Sequence, residues 1–338
     1  MRKLGYIGKL LVGVTAITLS CCTNTKENCF CEDYEVIEDP KPVRKLTAER
    51  ILAGDTLLDM GRIFCIGDKL LDANVQNKEA IFTVYSNQGK RISSFGKVGR
   101  AQNEFSQGIV LTQQVEDGKI WVNDVNKAKL IRVDFKASLD SSLCMVDKEI
   151  ITAGRVINAF CVNDSTILYE QETKDNYRIH LFNTKQNRIL KRYDLYTPSR
   201  DAFGTYYSHL LLHPDKNRLA GVMTTLNQVN FLSVKDGKKK ALSLYQKAIL
   251  ETDDEKKTQF YCGVTSTADN VYALYMNQSQ EDSFSKPKPM EIHVFGWDGT
   301  FKGVLVADEY ITRIAVDTQG RYLYGLDLDN NVYKYKLK

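Results

Sequence analysis

One unit recurs along this chain and constrains its fold more than any other feature. Five segments share a shape: "IFTVYSNQGKRISSF", "LIRVDFKASLDSSLC", "RIHLFNTKQNRILKRY", "NFLSVKDGKKKALSL" and "EIHVFGWDGTFKGVLV". Each reads as an alternating apolar strand, a polar turn and a second strand, which is a β-hairpin pattern. Gln88-Gly89, Asp236-Gly237 and Asp298-Gly299 supply turns in which glycine takes positive φ. A further strand precedes most hairpins, as in "GKIWVND", "STILYEQ", "NRLAGVM" and "NVYALYM", and a short apolar stretch such as "GIVLTQQ" or "RIAVDTQ" comes earlier still. The unit is therefore four strands long, and its period of about 50 residues is that of propeller blades.

A sixth copy begins at "RIAVDTQGRYLYGLDLDNNVYKYKLK" and stops after its third strand. The segment "PVRKLTAERIL", Pro42 to Leu52, lies ahead of the first copy and is expected to supply the missing outer strand. Joining the chain ends in this way protects edges that open sheets expose. The fold class expected is all-β, a six-bladed β-propeller of four-stranded antiparallel blades closed by an N-terminal strand. A β-sandwich followed by a smaller β-domain would explain neither the recurrence nor the short final copy. Helical periodicity is confined to "LYQKAILETDDEKK", Leu244 to Lys257, read as an insertion between the fourth and fifth blades.

The start, "MRKLGYIGKLLVGVTAITLSCC", places Arg2 and Lys3 before an apolar run and then a small residue and cysteines, the layout of a secretory signal. Its apolar core is too short to span a bilayer. The cysteine pair resembles a bacterial lipoprotein signal, with Cys21 or Cys22 as the lipidated residue. Ser20 favours Cys21, and the placement of Leu19 favours Cys22. The domains expected are a lipoprotein signal peptide over 1–21, a polar tether over 22–42 and the propeller over 43–338. Within the tether, Cys29-Phe30-Cys31 lacks the thiol spacing and second ligand pair of a zinc site.

The net charge of +4 falls to about +1 once the signal takes away Arg2, Lys3 and Lys9, so no broad basic footprint for nucleic acid remains. Of eight cysteines, lipidation consumes one and leaves an odd number. Cys65, Cys144, Cys161 and Cys262 sit along strands as small buried hydrophobes.

The signal with Ser20-Cys21-Cys22, the stretch "FGKVGRAQNEF" and "IWVNDVNKAKLIRVDF" together resemble the TolB-like six-bladed β-propeller lipoproteins of Bacteroides-type bacteria. That family's stretch after the first hairpin reads Phe-Gly-x-x-Gly-x-Gly-Pro-Gly-Glu-Phe. Phe95, Gly96, Gly99, Glu104 and Phe105 match it, whereas Ala101, Gln102 and Asn103 replace the Gly-Pro-Gly. The resemblance implies a cell-envelope protein, lipid-anchored to the membrane, with no established activity.

Candidate chemistry is sparse. His209 and His213 lie four residues apart, about 13 Å along a strand, too far to share a metal ion. His180 and His293 occupy the same place in two repeats and are expected to pack rather than react. Asp327-Leu328-Asp329-Asn330-Asn331 resembles the start of a calcium loop, but no glutamate follows at its twelfth position, so a tight turn is expected. Asp124 stands at the point matching Asp327, where a carboxylate caps the following turn.

No nucleophile elbow, zincin pair or phosphate loop is present in the sequence. No catalytic residue, metal or cofactor is expected. The reading is a non-catalytic, monomeric binding scaffold for a protein or glycan partner. Arg200, Phe203, Tyr206 and Tyr207, in the loop from Tyr196 to Tyr207, are its candidate partner-binding residues; the loop from Asn277 to Met290 is a second such surface. The alternative is a metal-dependent propeller hydrolase or lactonase with a cation in the central channel, for which Glu104, Asn123, Asn158 and Asp164 are the residue types required.

Overall fold

The computed structural model describes residues 33–54, 61–77, 79–101, 103–172, 177–194, 207–249, 258–285 and 288–338. Three strands come first: β1 (Asp33–Ile37), β2 (Val43–Leu46) and β3 (Ala48–Leu52). Blade 1 holds β4 (Arg62–Ile66), β5 (Lys69–Ala73), β6 (Phe82–Ser86) and β7 (Arg91–Phe95). Blade 2 holds β8 (Ile109–Glu116), β9 (Lys119–Asp124), β10 (Lys129–Asp134), a helix α1 (Phe135–Ser141) and β11 (Val146–Ile151). Blade 3 is β12 (Ala159–Asn163), β13 (Thr166–Glu172), β14 (Tyr177–Asn183) and β15 (Arg188–Asp194), and blade 4 is β16 (Ser208–Leu212), β17 (Arg218–Met223), β18 (Val229–Ser233) and β19 (Lys239–Leu244). In blade 5, β20 (Thr258–Ser266) and β21 (Val271–Ser279) are followed by α2 (Gln280–Ser285), β22 (Glu291–Phe295) and β23 (Phe301–Ala307). Blade 6 has β24 (Arg313–Val316), β25 (Tyr322–Leu326) and β26 (Val332–Lys336), and β3 completes it by pairing antiparallel with β26.

The expected six blades and N-terminal closure are therefore both present, with a refinement. Only the second half of "PVRKLTAERIL" closes blade 6; the first half, β2, adds a parallel fifth strand to blade 5. The tether expected over 22–42 also contains a strand, because β1 pairs in parallel with β19 at the outer edge of blade 4. Tyr34 holds it there, since its hydroxyl donates to Ser243 Oγ at 2.9 Å and accepts from the Ala248 amide at 2.8 Å. Residues 33–52 thus run as a belt along the rims of three successive blades. The signal segment, Cys21 and Cys22 lie outside the described residues.

The core consists of layers between neighbouring blades. Phe64, Leu71 and Val84 of blade 1 meet Leu111, Val122 and Val133 of blade 2, and similar apolar layers fill the other five junctions. A middle strand is therefore covered on both faces: four of the five residues of β6 and of β18 are buried. Strict alternation survives at an outer strand such as β15, which has one face in water.

Two local readings change. The "FKASLDS" part of the second hairpin is not a turn but α1, because Asp134 caps it by accepting from the Ala137 amide at 2.9 Å. Phe135 is thereby buried against Phe95 of blade 1, with ring centroids 6.2 Å apart, and the second strand of that hairpin starts only at Val146. The described part of the expected helical insertion, 244–249, is not helical, and 250–257 lies outside the described residues. The hairpin glycines behave as expected: Gly89, Gly237 and Gly299 have φ of 81°, 81° and 79°.

The stretch "FGKVGRAQNEF" carries the chain from the outer strand of blade 1 to the inner strand of blade 2. Gly96 has φ 77°, and a Cβ there would lie 2.9 Å from the Phe82 ring, so glycine is required on both counts. Beyond it the loop is bound to itself: Gly99 donates to Phe105 O and Phe105 to Lys97 O, both at 2.9 Å. Asp124 fixes the far end by accepting from the Ser106 and Lys127 amides, and Asp327 accepts from the Asp329 and Asn331 amides in the last blade. Both carboxylates are turn caps.

Candidate functional site

Each blade contributes its first strand to the wall of a central channel. One residue divides that channel in two. Gln113, with φ 54°, sits where the pairing of β8 with β9 breaks between Leu111 and Val115. Its amide Nε2 donates to Val264 O of blade 5, on the opposite side of the ring, at 2.8 Å. On one side, where the inner strands end, lies a cavity of about 260 Å³ of mixed lining, with Phe64, Ile66, Leu111, Leu212 and Val316 beside Gln114, Glu116 and Thr265.

On the other side, where the inner strands begin, lies a polar cup of about 250 Å³. Every blade supplies a polar side chain to it: Arg62, Gln113, Asn158, His209, Gln259 and Arg313, in blade order. None of its described lining residues is acidic, and among the described residues neither arginine forms a salt bridge. His209 lies edge-to-face with Tyr207, ring centroids 5.3 Å apart. Burial, then the positive charges of Arg62 and Arg313, pull its imidazole down to a pKa of about 4. At neutral pH the cup therefore holds two guanidinium charges beside a neutral imidazole that can both donate and accept.

Asn158 is held in place from behind. Its Nδ2 donates to Glu170 Oε2 at 2.7 Å, and the Glu170 amide donates to Asn158 O at 2.9 Å. Glu170 is buried, and the loss of hydration raises its carboxyl from 4.5 to about 7 despite the Asn158 hydrogen bond. Folding thus favours its protonated form, so this group's contribution to stability is complete below about pH 4.5 and is lost as pH rises through 7. Glu170→Gln keeps an acceptor for Asn158 and removes the titration. At pH 8 the variant is expected to be more stable than the wild type by roughly 2–3 kcal/mol, with the gap vanishing near pH 4.5. Urea midpoints at the two pH values check this; a gap of equal size at both would refute the titration.

The four residues suited to a channel cation are not brought together. Asn158 alone lines the channel. Glu104 Oε2 accepts from the Ala101 amide at 2.8 Å in the rim loop, Asn123 donates to Val156 O and Ile157 O at 2.7 and 2.9 Å, and Asp164 pairs with Lys148 at the surface. Among the described residues no three His, Cys, Asp or Glu side chains are grouped to hold a metal. His213 leaves His209 for another setting, its Nε2 2.9 Å from Ala268 O and its ring 4.9 Å from that of Trp297. His180 and His293 each place Nδ1 near a tyrosine hydroxyl of their own blade, Tyr169 on β13 at 3.0 Å and Tyr261 on β20 at 3.1 Å, so the two tyrosines come from non-equivalent strands. Arg200, Phe203 and Tyr206 lie outside the described residues, whereas Tyr207 stands in the wall of the cup.

Arg62, Arg313, Gln113 and Gln259 escape a motif search because each is one residue from a different blade. A signal exists nonetheless: "GRIFCIG" and "TRIAVDT" open two inner strands with the same Arg-Ile pair, and those two blades are neighbours once the ring closes.

The family described as TolB-like 6-blade propeller-like matches residues 61–319. No curated protein sequence matches the chain. Among solved structures, one of a protein described as exported, from Bacteroides fragilis, superposes with a TM-score of 0.54 at 11% identity, covering 90% of this chain and 99% of that one. A DUF4221 family member from Bacteroides vulgatus superposes with a TM-score of 0.57 at 12% identity, covering 89% and 97%. At these identities the likeness is one of fold. Among the described residues no helix is long and apolar enough to cross a membrane.

Proposed function

Because this chain belongs to the TolB-like six-bladed propeller family, we propose that it is a lipid-anchored, monomeric cell-envelope module that binds a partner at the channel mouth and performs no chemistry. The observation that carries this reading is the cup, where six blades converge on hydrogen-bonding and cationic side chains. The signal-like N-terminus with Cys21 and Cys22 and the likeness to a protein described as exported support the envelope address. Tyr207 lines the cup, and Arg200, Phe203 and Tyr206, which precede it in the sequence, are proposed as further contacts of a protein or glycan partner.

A photoreactive residue in place of Tyr207 is expected to give a light-dependent adduct with one envelope component in intact cells. The same residue in place of the exposed Ser285, at the end of helix α2, is the control and is expected to give none. An adduct profile that is identical from both positions refutes recognition at the mouth. For the anchor, incorporation of a clickable palmitate is expected in the wild type and its loss in Cys21→Ala or in Cys22→Ala; equal labelling of the Cys21→Ala, Cys22→Ala double variant refutes it.

A further inference from the structure

The cup's chemistry narrows what it takes. We propose that it is a binding site for a sugar acid, one sugar ring bearing a carboxylate, an inference that rests on the recognition reading above and specifies its ligand. Arg62 and Arg313 open the inner strands of adjacent blades, β4 and β24, whose contact closes the ring, so both guanidiniums enter the cup from one side. Their positions are exposed at the mouth, and neither is neutralised by a described carboxylate. Arg313 spends one donor on Thr312 O at 2.8 Å, which leaves the rest of its fork available. A guanidinium fork matches a carboxylate with paired, charge-assisted hydrogen bonds.

Among the described residues the other polar side chains of the wall are uncharged, which suits hydroxyl groups. Asn158 comes from blade 3, Tyr207 and His209 from blade 4 and Gln259 from blade 5, and between them they offer amide, phenol and imidazole groups that donate or accept. Thr224 is also on this wall. Ile157, Leu210 and Ile314 interrupt the polar groups and can meet the C–H faces of a ring. Size decides between a ring and a longer ligand. A volume of about 250 Å³ falls below the roughly 300–1,000 Å³ of sites for drug-sized ligands, and Gln113 closes the floor by its bond across to blade 5. Among the described residues the cup has room for about one ring, so the occupant expected is an end residue of a chain.

The test is calorimetric titration of the full mature protein in detergent with D-glucuronate, D-glucose, inorganic phosphate and a short peptide with a free C-terminus. Glucuronate is expected to bind at least tenfold more tightly than each of the other three. Arg62→Gln and Arg313→Gln are each expected to weaken glucuronate binding about tenfold or more, with melting temperatures unchanged as the control on folding, and Arg313→Lys to recover part of the loss. Glucose binding as well as glucuronate would overturn the role of the arginines. Phosphate binding at least as tightly would make this a general anion site, and tighter peptide binding would make the occupant a protein terminus; either result overturns the sugar-acid assignment. If none of the four ligands binds while the light-dependent adduct at Tyr207 persists in both arginine variants, this inference fails and recognition at the mouth stands. If the adduct is also absent, both fail.

Discussion

A chain that begins at Ala53, and so lacks β1 to β3, is expected not to form the ring. β3 is the outer strand of blade 6, paired through Leu52 with Val332 and through Ala48 with Tyr335. Without it β26 becomes a bare edge, and Tyr333 and Tyr335, both now buried in the junction with blade 5, lose cover. Where the ring's ends meet, the contact of β24 with β4 and the apolar layer of Leu70, Tyr85, Tyr324 and Val332 would remain, but Ile51 and Leu52, which pack against that layer, would be gone. Closure is what removes edges in such folds, so the expected result is loss of cooperative melting, followed by circular dichroism, and aggregation.

Shorter truncations separate closure from reinforcement. A start at Pro40 removes only β1, and a start at Thr47 removes β1 and β2, the added fifth strands of blades 4 and 5. Both chains are expected to melt cooperatively, several degrees below the full protein. A cooperative melt at unchanged temperature for the Ala53 chain would show that β3 does not close the ring.

Phe105→Ala is expected to cost about 3–5 kcal/mol, the range for truncating a buried phenylalanine. Phe105 is 1% exposed and meets Phe82 edge-on with ring centroids 5.6 Å apart; Phe82 in turn lies 5.3 Å from Phe95. These rings join blade 1 to blade 2, and the loop above is tied down by its own backbone bonds, which limits collapse into the space left behind. Glu104→Ala, one residue away, removes an exposed hydrogen bond to the Ala101 amide and is expected to cost less than about 1 kcal/mol. Urea unfolding of both variants checks the pair; a Phe105 loss below that of Glu104→Ala would mean the crossing loop does not depend on its aromatic seat.

The contrast between Glu104 and Phe105 also shows how "FGKVGRAQNEF" is to be understood. Its glycines and charges look like a ligand loop in sequence, yet Glu104 lies over Gly99 and caps a backbone amide within the loop. The stretch is a crossing between blades. The same holds for Asp124 and Asp327, whose carboxylates satisfy turn amides. Such residues are readable because their partners are a few positions away in the chain or recur in each repeat.

Other features were hidden for identifiable reasons. The helix α1 follows from a single capping aspartate and the burial of Phe135 against another blade, a contact between repeats that strand periodicity cannot register. β1 was hidden because Asp33-Tyr34-Glu35-Val36-Ile37 is short and half polar, and only the exposed edge of β19 makes it a strand.

What the sequence determined by itself is the number of blades, the strands within each and the need for an N-terminal strand to finish the last, because these depend on alternation, turn residues and period, all local along the chain. The proposed envelope address rests on the same kind of signal at the N-terminus. Only the tertiary structure decided where function can reside. The cup draws polar side chains from each of six units separated by about 50 residues, and Gln113 divides the channel through a bond to a blade half a ring away. Closing the ring converts residues that are remote and unremarkable in sequence into neighbours around one axis, and only there do two arginines, a neutral histidine and three amides share a single environment.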